Sequence, residues 1–240
     1  MNAKQLYQAG RLSEAVAALV GELRQNPGDT QRRAFLFELL AFAGDYERAE
    51  RQLQALPQGD SSMDLWVLVG RAALAAERKR QEMFARGEYP PVSVEEPPAI
   101  SGVINGRPFL SLEDADGRFG VKLELIAAGR YMWLPLEHVA TIRIEPPRRL
   151  RDLLWLPAQI RTGPAFRDLE LGEVLLPSLY PLSWRHADEA VRLGRATVWE
   201  EQEDGKVAPF GQKTLLVDGE ELPLLELRTL EINPAPAGAA

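Results

Sequence analysis

The sequence predicts an α+β protein in which N-terminal helical repeats precede a mostly antiparallel, mixed β-sheet or partly closed barrel. Three observations indicate this order. Residues 1–88 show helical periodicity with an internal repeat, residues 89–98 are rich in proline, and residues after 100 alternate apolar and polar side chains. A chain of 240 residues is long enough for both parts to bury a core.

Two copies of a helical pair occupy the first part of the chain. They are recognised because Leu6, Gly10, Ala15 and Leu19 recur 34 residues later as Leu40, Gly44, Ala49 and Leu53. This period and pattern resemble the tetratricopeptide repeat. Each glycine is expected to end the first helix of its pair. Each alanine has a small side chain, so the second helix can cross close to the first. The predicted helices are 2–9, 12–25, 30–43 and 46–55.

A fifth helix is predicted at 62–85, because its apolar residues recur at helical spacing after an N-terminal serine cap. Four prolines within 89–98 then favour an extended linker. The predicted organisation is a helical domain at 1–88, a linker at 89–99, a strand-rich domain at 100–233 and a disordered tail at 234–240.

Alternating patterns predict the strands of the second domain. They cover 119–126, 131–134 and 139–144, followed by 212–217 and 222–232, which flank a hairpin turn at Asp218-Gly219. Short helices are predicted at 149–155 and 187–193. Asp116-Gly117 is interpreted as a tight hairpin, because the surrounding segment lacks the first and last ligands of a calcium loop.

Composition excludes several function classes. The net charge of −7 arises wholly after residue 90, and the sequence has no basic stripe, so nucleic-acid binding is not expected. There are no cysteines, no signal peptide and no apolar run long enough for a membrane span. We therefore expect a soluble, cytoplasmic protein without a metal or cofactor.

Catalytic motifs are also lacking. The sequence contains no nucleophile elbow, phosphate-binding loop or zinc motif, and it has only two histidines. The alternative to a binding protein is a hydrolase that uses His186 with Asp188 in a cleft between the two domains. A third hypothesis is a scaffold that binds one partner on the repeats and another on the sheet.

Aromatic and arginine residues supply the candidate partner contacts, because Trp, Tyr and Arg most often anchor protein interfaces. In the strand-rich domain these are Tyr131, Trp133, Arg151, Asp152, Trp155, Tyr180 and Arg195. On the first helices of the repeats, which usually line the partner-binding surface, they are Lys4, Gln8, Glu38 and Phe42. The alternative is structural: both tryptophans lie in the core, and Arg151-Asp152 stabilises the start of a helix.

Several segments, taken in order, resemble the ImpE family, also called TagJ. The matching segments are Asp114-Ala-Asp116, Gly120, Leu123-Glu124, Gly129–Pro135, Glu145–Pro147, Leu150–Trp155, Leu176–Pro181, Leu193–Thr197, Trp199, Gly211–Lys213 and Leu225–Arg228. They cover nearly the whole strand-rich domain, and the repeats also fit.

The resemblance implies an accessory role in the bacterial type VI secretion system rather than catalysis. It implies a helical-repeat part joined to a large sheet, and binding to the N-terminal helix of the small sheath subunit, TssB. It also implies an association with the sheath-recycling AAA+ ATPase. One departure is clear: family members commonly carry a further helical pair before the sheet domain, where this chain has only the proline-rich segment.

Overall fold

The computed structural model describes residues 1–57, 59, 61–90, 100–163, 170–202 and 205–233. Most of the predicted linker, at 91–99, and the predicted tail at 234–240 lie outside these residues. Within the described part of the chain, no helix is both long and apolar enough to cross a membrane.

Five helices form the first part of the fold, and they confirm the predicted helices to within one or two residues. They are α1 (Ala3–Gln8), α2 (Leu12–Gln25), α3 (Thr30–Phe42), α4 (Tyr46–Gln54) and α5 (Ser61–Ala85). Helix α1 packs on α2, and α3 packs on α4. Ala15 and Ala49 are completely buried, as expected where the second helix of each pair crosses the first.

Side-chain caps explain where three of these helices begin. Asn2 accepts a hydrogen bond from Gln5 N at 2.9 Å, and Asp29 accepts one from Arg32 N at the same distance. Asp45 accepts from Arg48 N at 3.3 Å. Each carboxylate or amide oxygen satisfies a backbone N–H group that has no partner within its helix.

The second part of the fold contains thirteen described strands and a one-turn helix, α6 (Glu189–Arg192). The strands are β1 (Gly102–Ile104), β2 (Arg107–Phe109), β3 (Leu112–Asp114), β4 (Lys122–Ala127), β5 (Arg130–Pro135), β6 (Val139–Arg143), β7 (Trp155–Thr162), β8 (Glu170–Pro177), β9 (Thr197–Glu201), β10 (Val207–Gly211), β11 (Thr214–Val217), β12 (Glu220–Pro223) and β13 (Thr229–Ile232).

Eight strands form one sheet in the order β2-β1-β13-β6-β7-β8-β4-β5, with every neighbouring pair antiparallel. Strands β12, β11 and β3 form a second sheet, and β10 and β9 form a third. Among the described strands β2 and β5 remain edges, so the large sheet is open. The predicted antiparallel sheet is confirmed, and the partly closed barrel is not formed.

The hairpin at Asp218-Gly219 is confirmed, because β11 pairs with β12 and both turn residues have positive φ. The predicted strand 222–232 is wrong as one element. It divides into β12 and β13, which belong to different sheets and are separated by a 3-10 turn at Leu224–Glu226.

The predicted hairpin at Asp116-Gly117 is also wrong. Strand β3 pairs with β11, whereas β4 pairs with β5 and β8. The two predicted short helices are shorter than expected: the first is a 3-10 turn at Leu150–Leu153, and the second is α6.

The large sheet has a core on each face. Leu125 and Leu156 belong to the core within the strand-rich part, whereas their chain neighbours Ile126 and Trp155 belong to the core built by the helices. Successive side chains on a strand point to opposite faces. One face of β4 and β7 therefore packs directly against the helical repeats.

The segment that contains α6 contacts the end of α1 and the start of α2, which form the turn inside the first helical pair. The Arg195 guanidinium donates to the carbonyl oxygens of Tyr7 and Gln8 at the end of α1, at 2.7 and 3.0 Å. The Glu189 carboxylate accepts from Ser13 N, in the first turn of α2, at 2.8 Å. Opposite charges at these helix ends complement the helix dipoles.

A substitution of Gly44, which lies between α3 and α4, tests the contact between the second helical pair and Trp184, a few residues before α6. We expect Gly44→Ala to lower the free energy of unfolding by about 2–4 kcal/mol. Its φ is +72°, and an added Cβ would lie 2.7 Å from Cγ and 2.5 Å from Cε3 of Trp184. Urea unfolding followed by circular dichroism measures the change.

Gly87→Ala is the matched control, because Gly87 has φ +68° and open space where the Cβ would be. It should cost only the backbone strain of about 1–2 kcal/mol. An equal loss in the two variants would show that the Trp184 contact contributes nothing.

Candidate functional site

A buried ionic network joins α5 to the sheet. Arg80 is 1% exposed, and its guanidinium binds both oxygens of Glu124 on β4, at 2.7 and 3.0 Å. The same guanidinium donates to Glu77 on its own helix at 3.0 Å and to the Leu179 carbonyl oxygen at 2.9 Å. A two-pronged arginine–carboxylate contact fixes orientation as well as charge.

Lys213 extends this network to the second sheet. Its ammonium lies 2.6 Å from Glu124 Oε2 and 2.6 Å from Asp114 Oδ2. It also lies 3.7 Å from the centre of the Phe119 ring, which adds a cation–π contact. Asp114, Glu124 and Lys213 are at most 4% exposed, so these charges compensate each other away from water.

Glu124 and Asp114, the two carboxylates bound by Lys213, differ in pKa. Burial would raise the pKa of Glu124, but Arg80 and Lys213 outweigh it and hold the pKa at about 2. Burial also raises the pKa of Asp114, and here Lys213 offsets it only partly, so the pKa stands at about 6. Glu124 is therefore the permanent anion of the network.

Neutral side chains complete the network's hydrogen bonds. Trp155 Nε1 donates to Glu77 Oε2 at 3.0 Å, and Tyr131 donates to Glu124 at 2.5 Å. Trp133 Nε1 donates in turn to the Tyr131 hydroxyl. Burial, followed by the charge of Glu124, raises the pKa of Tyr131 well above its ordinary value, so this hydroxyl stays protonated.

Several predicted partner residues are thus part of the protein's own interior. Phe42, Trp155 and Tyr180 are at most 2% exposed, and Asp152 is 7% exposed. Tyr180 accepts a hydrogen bond from Thr214 N and donates to Thr214 O. Asp152 accepts from Arg148 N and Arg149 N at 2.9 Å, which supports the structural alternative for this residue.

Arg151 and Glu38 meet where α3 approaches the turn at Leu150–Leu153. The Arg151 guanidinium lies over the Trp66 ring at 5.4 Å, and Arg151 stabilises the Glu38 carboxylate electrostatically. Burial nevertheless raises the pKa of Glu38 to about 7. Both residues lie at the contact between repeats and sheet.

The remaining predicted partner residues are exposed or half-buried. Lys4 and Gln8 on α1 are exposed, and Tyr131 and Trp133 are half-buried. Arg195 is exposed, but its guanidinium is occupied by the α1 carbonyl oxygens. The structure therefore divides the eleven candidates between the network, the core and the surface, and does not bring them together as one surface.

His186, the residue on which the hydrolase alternative depends, contacts Glu200 and the backbone of Asp188. Nε2 of His186 lies 3.0 Å from Glu200 Oε1, and Nδ1 accepts from Asp188 N at 3.0 Å. The Asp188 carboxylate instead accepts from Ala190 N and caps α6. Among the described residues, no serine or threonine hydroxyl hydrogen-bonds to this imidazole, and no cluster of three or more His, Cys, Asp or Glu could hold a metal ion.

Glu77, Arg80 and Lys213 are structural residues that were not predicted from the sequence. A signal existed for the first two, because Glu77 and Arg80 share a helical stripe with the apolar residues Ala73, Ala76 and Phe84. The structure buries all five. No comparable signal marked Lys213, because its partners are distant in the sequence.

Fold and site together define a helical-repeat protein whose helix α5 is joined to a large antiparallel sheet through a buried ionic network. The tetratricopeptide-repeat profile matches residues 6–62. The profile of the ImpE protein family matches residues 106–231, more than half of the chain. The chain belongs to the ImpE family.

One relative and one solved structure illustrate the relationship. The chain is 34% identical over 270 aligned positions to the type VI secretion system accessory component TagJ of Pseudomonas aeruginosa, covering 99% of this chain and 93% of that protein. The crystal structure of protein VPA1032 from Vibrio parahaemolyticus has the same fold, with a TM-score of 0.78 at 22% identity, covering 96% of this chain and 97% of that chain.

Removing the guanidinium at the centre of the network should destabilise the whole protein. We expect Arg80→Met to lower the free energy of unfolding by about 3–5 kcal/mol, because Glu77 and Glu124 lose their shared cation in the interior. Arg78→Met, on the same helix, removes only ion pairs of 3.8 and 3.9 Å from a partly exposed side chain and should change little. Equal unfolding midpoints for the two variants would contradict the role of Arg80.

The raised pKa of Glu38 predicts a pH-dependent stability difference. Its pKa of about 7 in the folded protein lies above the ordinary 4.5, so Glu38 contributes most favourably below pH 4.5, and this contribution is lost as the pH rises through 7. Glu38→Gln should therefore stabilise the protein by about 2 kcal/mol at pH 8 and by almost nothing at pH 4.5.

Urea unfolding at both pH values measures this difference, with Glu82→Gln on the exposed face of α5 as the control. A Glu38→Gln effect that is the same at the two pH values would show that the carboxylate does not titrate as proposed.

Proposed function

We propose that this protein is a cytoplasmic, non-enzymatic accessory protein of a type VI secretion system. The observation that carries the proposal is the 34% identity, over nearly the whole length of both proteins, to a protein named as an accessory component of that system. We further propose that its partner is the N-terminal helix of a TssB-like sheath subunit, with the sheath-recycling AAA+ ATPase as a second partner.

The usual partner surface of a helical repeat is not free in this protein. Phe37 on α3 is completely buried between Trp66 of α5 and Trp155 of the sheet, with ring centres 5.5 and 6.3 Å away. Helix α3, the first helix of the second pair, therefore packs against the protein's own sheet. A partner helix needs another surface on the repeats.

A groove between α2, the end of α3 and the start of α4 offers that surface, and we call it the α2–α4 groove. Its volume is about 510 Å³, and its lining combines an apolar floor with polar or charged ends: Ser13, Val16, Ala17, Val20, Gly21, Arg24, Leu40, Ala43, Asp45 and Arg48. Ala17 and Gly21 are four residues apart on α2, and a Cβ on Gly21 would meet no atom within 4 Å. Small residues on one helix face let a second helix approach closely, as in helix-in-groove recognition.

Calorimetric titration of the full-length protein with the sheath subunit's N-terminal helix tests the proposed partner and the proposed binding groove. We expect binding in the micromolar range, and the absence of measurable heat at tens of micromolar would refute the partner assignment. Ala17→Glu should weaken binding at least tenfold, because a long charged side chain would fill the groove.

Ala75→Glu is the matched control, since Ala75 is an exposed alanine within α5 and outside the groove. It should leave the affinity unchanged. If both variants bind like the unmodified protein, the partner helix lies on another surface, and exposed Lys4 and Gln8 on α1 become the next positions to substitute.

A further inference from the structure

A polar cleft lies beside the repeats, on the helix-facing side of the large sheet. It is formed by the turn at 145–152 and by the adjoining residues of β6, β7 and β8, and its volume is about 460 Å³. Gln159 and Pro157 line it, and by strand alternation they share a face with Trp155. We call it the arginine cleft, because its walls carry Arg143, Arg148, Arg149 and Arg151.

The three carboxylates of the arginine cleft neutralise these four guanidinium groups only in part. Glu145 pairs with Arg148 at 3.5 Å, Asp152 is held by two backbone N–H groups, and Glu173 lines the same walls. Within the described residues, no carboxylate lies within 4 Å of the side-chain nitrogens of Arg143 or Arg149. The cleft is thus a positive region in a protein whose net charge is −7.

Arg151, which also lines the cleft, is incompletely paired. Its Nη1 atom is buried and has no hydrogen-bond partner in the described part of the chain. Its Nε lies 3.9 Å from Asp152 Oδ1, too far for a hydrogen bond. Burial and the neighbouring Arg149 lower the pKa of this guanidinium, which reflects incomplete compensation of its charge.

We propose that the arginine cleft binds a carboxylate-rich peptide segment of a partner protein, with Arg143, Arg149 and Arg151 as its anchors. Planar guanidinium groups match carboxylates in geometry as well as charge. Glu145 and Glu173 in the same walls would repel a nucleic acid or polyphosphate chain, because it carries a negative charge on every unit. A peptide instead places its carboxylates beside the arginines and its backbone N–H donors beside these glutamates.

This site goes beyond the proposed function, because it is separate from the α2–α4 groove and its test needs no sheath component. The probe is a short fluorescein-labelled peptide in which Glu alternates with Ala and Ser, measured by fluorescence anisotropy at low salt. We expect the unmodified protein to bind it, and the same peptide with Gln in place of Glu to fail. Binding should weaken as salt is added.

The double variant Arg143→Gln/Arg149→Gln should weaken binding at least tenfold, and both side chains are exposed, so folding should be preserved. Arg107→Gln/Arg130→Gln removes the same charge from exposed positions on β2 and β5 and should change the affinity less than twofold. The proposal is overturned if the unmodified protein does not bind, if both double variants weaken binding equally, or if inorganic phosphate or single-stranded DNA displaces the peptide at equal concentration.

Discussion

The guanidinium of Arg80 connects the two parts of this fold. It comes from the last helix before the proline-rich segment, and it binds a carboxylate on β4 and a carbonyl oxygen at Leu179. An ion buried in this way costs several kcal/mol to remove from water, so it is tolerated only where its acceptors are held in place. The position of α5 on the sheet is therefore specified by hydrogen-bond geometry as well as by apolar packing.

The network also has to balance its charge. Arg80 and Lys213 face three carboxylates, Glu77, Glu124 and Asp114, which leaves one negative charge in excess if all are ionised. Burial, with a smaller contribution from the charge of Glu124, raises the pKa of Asp114 to about 6, so a proton on this group removes the excess only below about pH 6. Trp155 and Tyr131 donate hydrogen bonds to the other two carboxylates, Glu77 and Glu124.

The helices could be predicted from the sequence because their signals are local. Gly10 and Gly44 stand at the ends of first helices with positive φ, as the repeat indicated. Strand partners could not be predicted in the same way: residues 222–232 read as one strand, yet the 3-10 turn within them directs the chain from one sheet to another. Pairing between distant segments is decided by the whole fold.

The candidate site shows a different limit of sequence reasoning. Trp155 and Tyr180 were chosen because large aromatic residues anchor interfaces, but the same properties suit an interior contact that needs one polar atom satisfied. The segments that resemble the ImpE family contain Asp114, Glu124, Tyr131, Trp155 and Lys213, which are far apart in the sequence and meet at the network. Part of the family resemblance therefore lies in residues of the buried ionic network. A partner that touches both parts meets a surface whose relative positions are already fixed, so binding needs little further ordering of the protein. The junction thus favours recognition at the surfaces beside it, because α3 already packs against the sheet and is not available to a partner.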